Sequence, residues 1–161
     1  VPPPRYSSLP LPASRYLPGR GPRPAREAEG SGVAGAVDPE AWASCALYLH
    51  AVDLYNHALF WESHEAFELL WRAAADPAAR AFLQGLIQVC AAEVHRAKGA
   101  RADALHARAI ARLRGVPGRF MGLDVARFVE ESEARRRDAR ADPAWIELAI
   151  DAAGERGRRT R

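Results

Sequence analysis

Three Asp-Pro pairs, Asp38-Pro39, Asp76-Pro77 and Asp142-Pro143, punctuate the chain and constrain its fold more than any other feature. Aspartate accepts hydrogen bonds from the free N–H groups at a helix start, and proline suits the first helical position, where its missing N–H costs nothing. After each pair, apolar residues recur at three- and four-residue spacings. The pattern predicts helices over 39–55, 59–74, 77–98, 102–114 and 125–137. Trp42, Ala46, Leu49 and Val52 with Asp53 form the stripe of the first helix. Leu105, Ala109, Ile110 and Leu113 form that of the fourth, and Phe128 and Val129 that of the fifth. Gly99 is placed to close the third helix, and Asp124 to cap the fifth. Asp142 is read as opening a short sixth helix with Trp145, Ile146, Leu148 and Ala149. No stretch alternates at period two for long enough to suggest a sheet. The expected architecture is all-α, an antiparallel bundle of five to six helices joined by short connections.

Proline also sets the organisation. Eight of the 12 prolines lie between Pro2 and Pro24, a density that stops helix and central strand alike. Residues 1–37 are therefore expected to form an extended or disordered arm, with Tyr6, Tyr16 and Leu17 available to pin it. A helical domain is expected over 38–154, and an Arg-rich tail over 155–161. Five arginines and no acid fall in residues 1–26, whereas 38–154 hold 14 basic and 17 acidic residues. The folded part is thus mildly acidic, which argues against a nucleic-acid-binding surface there. Cys45 and Cys90 lack metal-knuckle spacing and read as reduced thiols. No apolar run reaches membrane-spanning length, and no signal-peptide segment is evident. The reading is a cytoplasmic protein, and the arginine and alanine bias is that of a GC-rich bacterial genome.

The chemistry concentrates in residues 60–72, where Glu62, His64, Glu65 and Glu68 lie among Phe60, Trp61, Phe67 and Trp71. On a helix His64 and Glu68 fall about 40° apart, beside the apolar stripe. Glu62 and Glu65 lie farther round, toward solvent. On the third helix Gln84, Gln88 and His95 share one face of an otherwise apolar rod, and such a stripe must meet polar partners or water. One volume between the two helices is expected to hold His64, Glu68, Gln84, Gln88 and His95. Two readings follow. In the first, His64, Glu68 and His95 ligate a divalent metal such as zinc, with Glu65 as general base. In the second, the same residues form a structural hydrogen-bond network in a non-catalytic module, for example at a homodimer interface. Paired Glu-x-x-His motifs of ferritin type are absent, and Ser63 faces away from His64. His50 and His106 read as boundary residues. Glu130, Glu131, Glu133 and Arg135 to Arg137 read as a solvated face.

The run from Leu54 to Arg72, followed by Phe82-Leu83-Gln84-Gly85-Leu86-Ile87-Gln88, strongly resembles the family called domain of unknown function 309. Asn56, Phe60, Trp61, Glu62, His64, Glu65, Glu68 and Trp71 match its pattern, and Ala58 departs where glycine is usual. The resemblance implies an all-α fold. Members have carried the label of predicted metal-dependent hydrolases on this same His/Glu motif. It therefore implies a site centred on the second helix, with Asn56, Trp61, Glu62 and Trp71 as supporting residues beside the Gln84 and Gln88 that helical geometry supplies.

Overall fold

The computed structural model describes residues 3–24 and 37–150. Parts of the expected arm and helical domain, and the whole Arg-rich tail, lie outside them. The elements run as a 3₁₀ helix (Pro39–Ser44), α1 (Ala46–Asn56), α2 (Phe60–Ala73), α3 (Pro77–Ala97), α4 (Asp103–Arg114), β1 (Arg119–Phe120), β2 (Leu123–Asp124) and α5 (Val125–Arg137). Three starts are capped as the sequence suggests. Asp38 accepts from the Glu40 N–H, Asp76 from that of Ala79 at 2.8 Å, and Asp124 from that of Arg127. Gly99 ends α3 with φ +76°.

Each helix packs on the next in sequence, α1 on α2, α2 on α3, α3 on α4 and α4 on α5. Gly85, early in α3, faces Leu113, late in α4. Asp103 at the start of α4 pairs with Arg136 at the end of α5. Both pairings mark antiparallel neighbours. α3 is the central rod, burying Phe82, Leu83, Leu86, Val89 and Cys90. Tyr48, Tyr55, Phe67 and Phe128 complete an aromatic interior.

Two expectations are corrected. The first helix is broken at Cys45, whose backbone is extended (φ −85°, ψ 96°). The break carries Trp42 over Gly122, where a Cβ would lie 2.5 Å from the indole. Gly122 and Met121, both at positive φ, make the two-residue turn of the β1–β2 hairpin, a small sheet the periodicity did not suggest. The sixth helix does not form. Residues 143–150 run extended and bridge Leu123 through Leu148. Most of their backbone hydrogen bonds run to partners outside the segment, among them Ala149 N to Gly122 O. The Asn56 amide donates to Ile146 O and accepts from Ile146 N, both at 2.9 Å, and Leu148 N donates to the Tyr6 hydroxyl. Burial alternates, with Ala144, Ile146 and Leu148 inside and Trp145, Glu147 and Ala149 outside. Aspartate and proline at 142–143 began a strand-like segment because backbone partners waited at that spacing.

Of the two expectations for the arm, the described part is the pinned one. Tyr6, Leu11 and Leu17 pack against the core. Asp53, fully buried on α1, accepts from Tyr6 N (2.7 Å), Ser7 N (2.9 Å) and Arg5 Nε (3.2 Å). From there the arm crosses to α2 and to the end of α3, where Arg20 donates to Lys98 O.

Candidate metal centre

α2 buries one face through Phe60, Ser63, Ala66, Phe67 and Leu70. Ser63 donates to Ala51 O at 2.8 Å, which ties α2 to α1 and turns the serine away from His64, as its helical position requires. His64, Glu65 and Glu68 therefore emerge along the rim of the buried stripe, with side chains 27, 22 and 29 % exposed. One ligand atom from each lies within 4.8 Å of the others. His64 Nδ1 is itself buried, has no hydrogen-bond partner among the described residues, and sits 3.6 Å from Glu65 Oε1. Burying a ring nitrogen without a partner costs free energy that a hydrogen bond or a metal bond would recover. The carboxylates are not idle. Glu68 accepts from Arg72 at 2.8 Å, one helical turn on, and Glu65 meets Arg23 of the arm at 3.4 Å.

The arm covers this part of α2. Tyr16 N donates to Glu62 Oε1 at 2.7 Å, and the Tyr16 ring stands edge-on to Trp61 with centroids 4.6 Å apart. The Arg23 guanidinium lies over Trp61, 5.4 Å from the ring centre. Glu62 and Glu65, expected toward solvent, thus hold the arm instead. Arg23 and Tyr16 are members of the site's surroundings that periodicity on α2 alone could not supply. The signal was present only as aromatic and arginine residues spaced through a proline-rich stretch.

The second half of the expected volume does not assemble. His95 is exposed near the end of α3, outside the His64 cluster. Gln88 accepts from Arg112 of α4, so its face of α3 turns toward α4, and Gln84 is half-buried four residues earlier. The angular grouping of Gln84, Gln88 and His95 was sound, but the face they share is not the one packed on α2. Asn56 is a backbone clamp for Ile146, and Trp71 stacks on Arg80 at 4.5 Å while its carbonyl accepts from the same guanidinium.

Other buried polar groups are structural. Glu93, 2 % exposed, accepts from Arg96 and from both arms of Arg135, which also donates to the Ala139 and Ala141 carbonyls. This staple joins α3 to α5 and removes Arg135 from the solvated face assigned to it. Arg136 likewise bridges Glu133 and Asp103. His106 is buried rather than at a boundary, with both ring nitrogens lacking hydrogen-bond partners. Burial, aided by Arg96, lowers its pKa to about 4. Burial pushes the Cys90 thiol up to about 12, so it is an inert packing group.

The comparisons meet the geometry at this point. Residues 48–106 match the family described as Domain of unknown function (DUF309). The matched span begins in α1, contains all of α2 and α3, and ends in α4. It includes Asn56, Trp61, the His64–Glu65–Glu68 cluster and Trp71. The resemblance drawn from residues 54–72 and 82–88 is borne out. No curated protein and no solved structure matches the chain. In this matched segment a His/Glu group is arranged so that it could hold a metal ion. Among the described residues no helix is long and apolar enough to cross a membrane.

Proposed function

We propose that the protein binds a divalent metal ion through His64, Glu65 and Glu68, with zinc as the fitting ion, and that the site serves hydrolysis. The observation that carries the reading is the cluster itself: one imidazole nitrogen and two carboxylates within 4.8 Å of one another, with the His64 Nδ1 atom buried and without a hydrogen-bond partner. A nitrogen and two oxygens suit zinc, and three protein ligands are the usual number where a position stays open for chemistry. Such an ion, when bound, supplies Lewis-acid polarisation and a nucleophile at neutral pH. The chain supplies the rest. Arg72 orients the Glu68 carboxylate, Phe67 and Leu70 fix α2 in the core, and Trp61 offers an apolar wall beside the cluster. Glu65 joins the proposed ligand set in place of His95, which leaves the general-base role without an assigned residue.

The rival is the structural network, and a specific observation favours it: Glu65 and Glu68 each already contact a guanidinium. Metal analysis separates the two. Protein purified without a metal-affinity step should carry about one equivalent of metal, which His64→Ala should abolish. Metal-free protein whose melting temperature ignores added zinc would leave only the network.

A further inference from the structure

Two of the stations that hold the arm differ greatly in strength. At the first, the Asp53 carboxylate is fully buried and takes two backbone N–H groups and the Arg5 side chain. At the second, Arg23 is 56 % exposed and reaches Glu65 at 3.4 Å, a contact at the long end of hydrogen bonding. Exposed pairs of this kind are weak, and a guanidinium over an indole adds only modestly. The second station also coincides with a proposed ligand. Arg23 donates to one oxygen of Glu65 while the other faces His64 Nδ1.

We propose that Arg23 is a built-in counter-cation of the cluster, so that a divalent ion on Glu65 and the Arg23 contact there are alternatives. The inference rests on the metal reading above. A divalent ion on Glu65 would place two positive charges within a carboxylate's width of the guanidinium, and that repulsion acts on a long, exposed contact. The Asp53, Tyr16 and Arg20 contacts keep the arm attached while the Arg23 side chain lifts from Trp61. Metal loading then frees the face of Trp61 that Arg23 covers, while Tyr16 stays edge-on to the ring. The basic arm and the acidic rim of α2 are complementary for this use: the arm carries Arg15, Arg20 and Arg23, the rim Glu62, Glu65 and Glu68.

The test is calorimetric zinc titration of the full chain beside Arg23→Ala, Arg23→Lys and Arg20→Ala. Arg23→Ala should bind zinc about fivefold more tightly than wild type, the factor expected from losing an exposed ion pair and its ring contact. Arg20→Ala, an arm arginine bonded to Lys98 O, should match wild type. Arg23→Lys, which keeps the charge, should fall between. A second readout follows the arm. With 5-fluorotryptophan incorporated, the Trp61 fluorine resonance should differ between wild type and Arg23→Ala without zinc and converge with it. Equal affinities, or resonances that stay apart under zinc, mean Arg23 remains on Glu65 beside the ion; that overturns the competition and leaves the metal reading standing. Failure of every variant to bind zinc overturns both.

Discussion

α1 and α2 each carry polar side chains on a rod that is otherwise part of the core, and they treat them in opposite ways. Asp53 and Asn56 on α1 are buried, and their contacts come from the two ends of the described chain, the Tyr6 and Ser7 backbone with the Arg5 side chain on one side and the Ile146 backbone on the other. His64, Glu65 and Glu68 on α2 are a quarter exposed, held by long flexible arginines, and leave one imidazole nitrogen without a hydrogen bond. A completed network is a fastening, because its groups have nothing left to offer a ligand. An incomplete one at the surface retains donors, acceptors and room to move. The α1 pair therefore reads as structure and the α2 trio as the candidate site.

The difference can be broken by mutation. Asn56→Ala should have the largest effect, about 3 kcal/mol of stability, since it strands the buried N–H and C=O of Ile146 together. Chemical denaturation would measure it, and a loss below about 1 kcal/mol would remove Asn56 from the fastenings. Asp53→Ala should cost about 2 kcal/mol, less because the arm can swing out and let water satisfy the freed donors. Amide exchange should then show Tyr6 and Ser7 unprotected while α3 keeps its protection.

His106 tests the converse case, a buried polar group without partners. Its pKa in the fold lies near 4, below the ordinary 6.5. Above pH 6.5 the ring is neutral in folded and unfolded chains alike and stability is undiminished. As pH falls from 6.5 toward 4 the unfolded chain takes up the proton first, so stability should fall by up to about 1 kcal/mol per pH unit. His106→Leu should flatten that limb; an unchanged pH profile would mean the ring is satisfied. Smallest of all should be the stability change of His64→Ala without metal, below about 1 kcal/mol, because the ring has little to lose. A loss of several kcal/mol in metal-free protein would move His64 to the α1 class.

The helical spine was legible because its signals are local. Asp76-Pro77, the apolar rows of α3 and the Asp124 cap each act within a turn, and those helices lie within a residue of the expected bounds. Ala58 also gave notice: its φ of +59° is the left-handed backbone for which glycine is usual at that position of the family pattern. The C-terminal segment was misread because Trp145 is apolar yet exposed, hiding the period-two order of Ala144, Ile146 and Leu148 behind an apparent helical row. Its partners, Asn56 and Tyr6, lie 90 and 142 residues away, beyond the reach of any local rule. The site was half legible for the same reason. Spacing on α2 brought His64 and Glu68 together, whereas whether α3 shows His95 to α2 depends on how the rods are rolled, which is set by packing between helices such as that of Gly85 against Leu113.

The central claim is that the unfinished polar group on α2 is a metal centre. Crystals grown with zinc, measured on both sides of the zinc absorption edge, test it most directly. One anomalous peak should appear within bonding distance of His64, Glu65 and Glu68, with Arg23 withdrawn from Glu65. A map with no peak there, or with its only peak on the exposed His95, would contradict it.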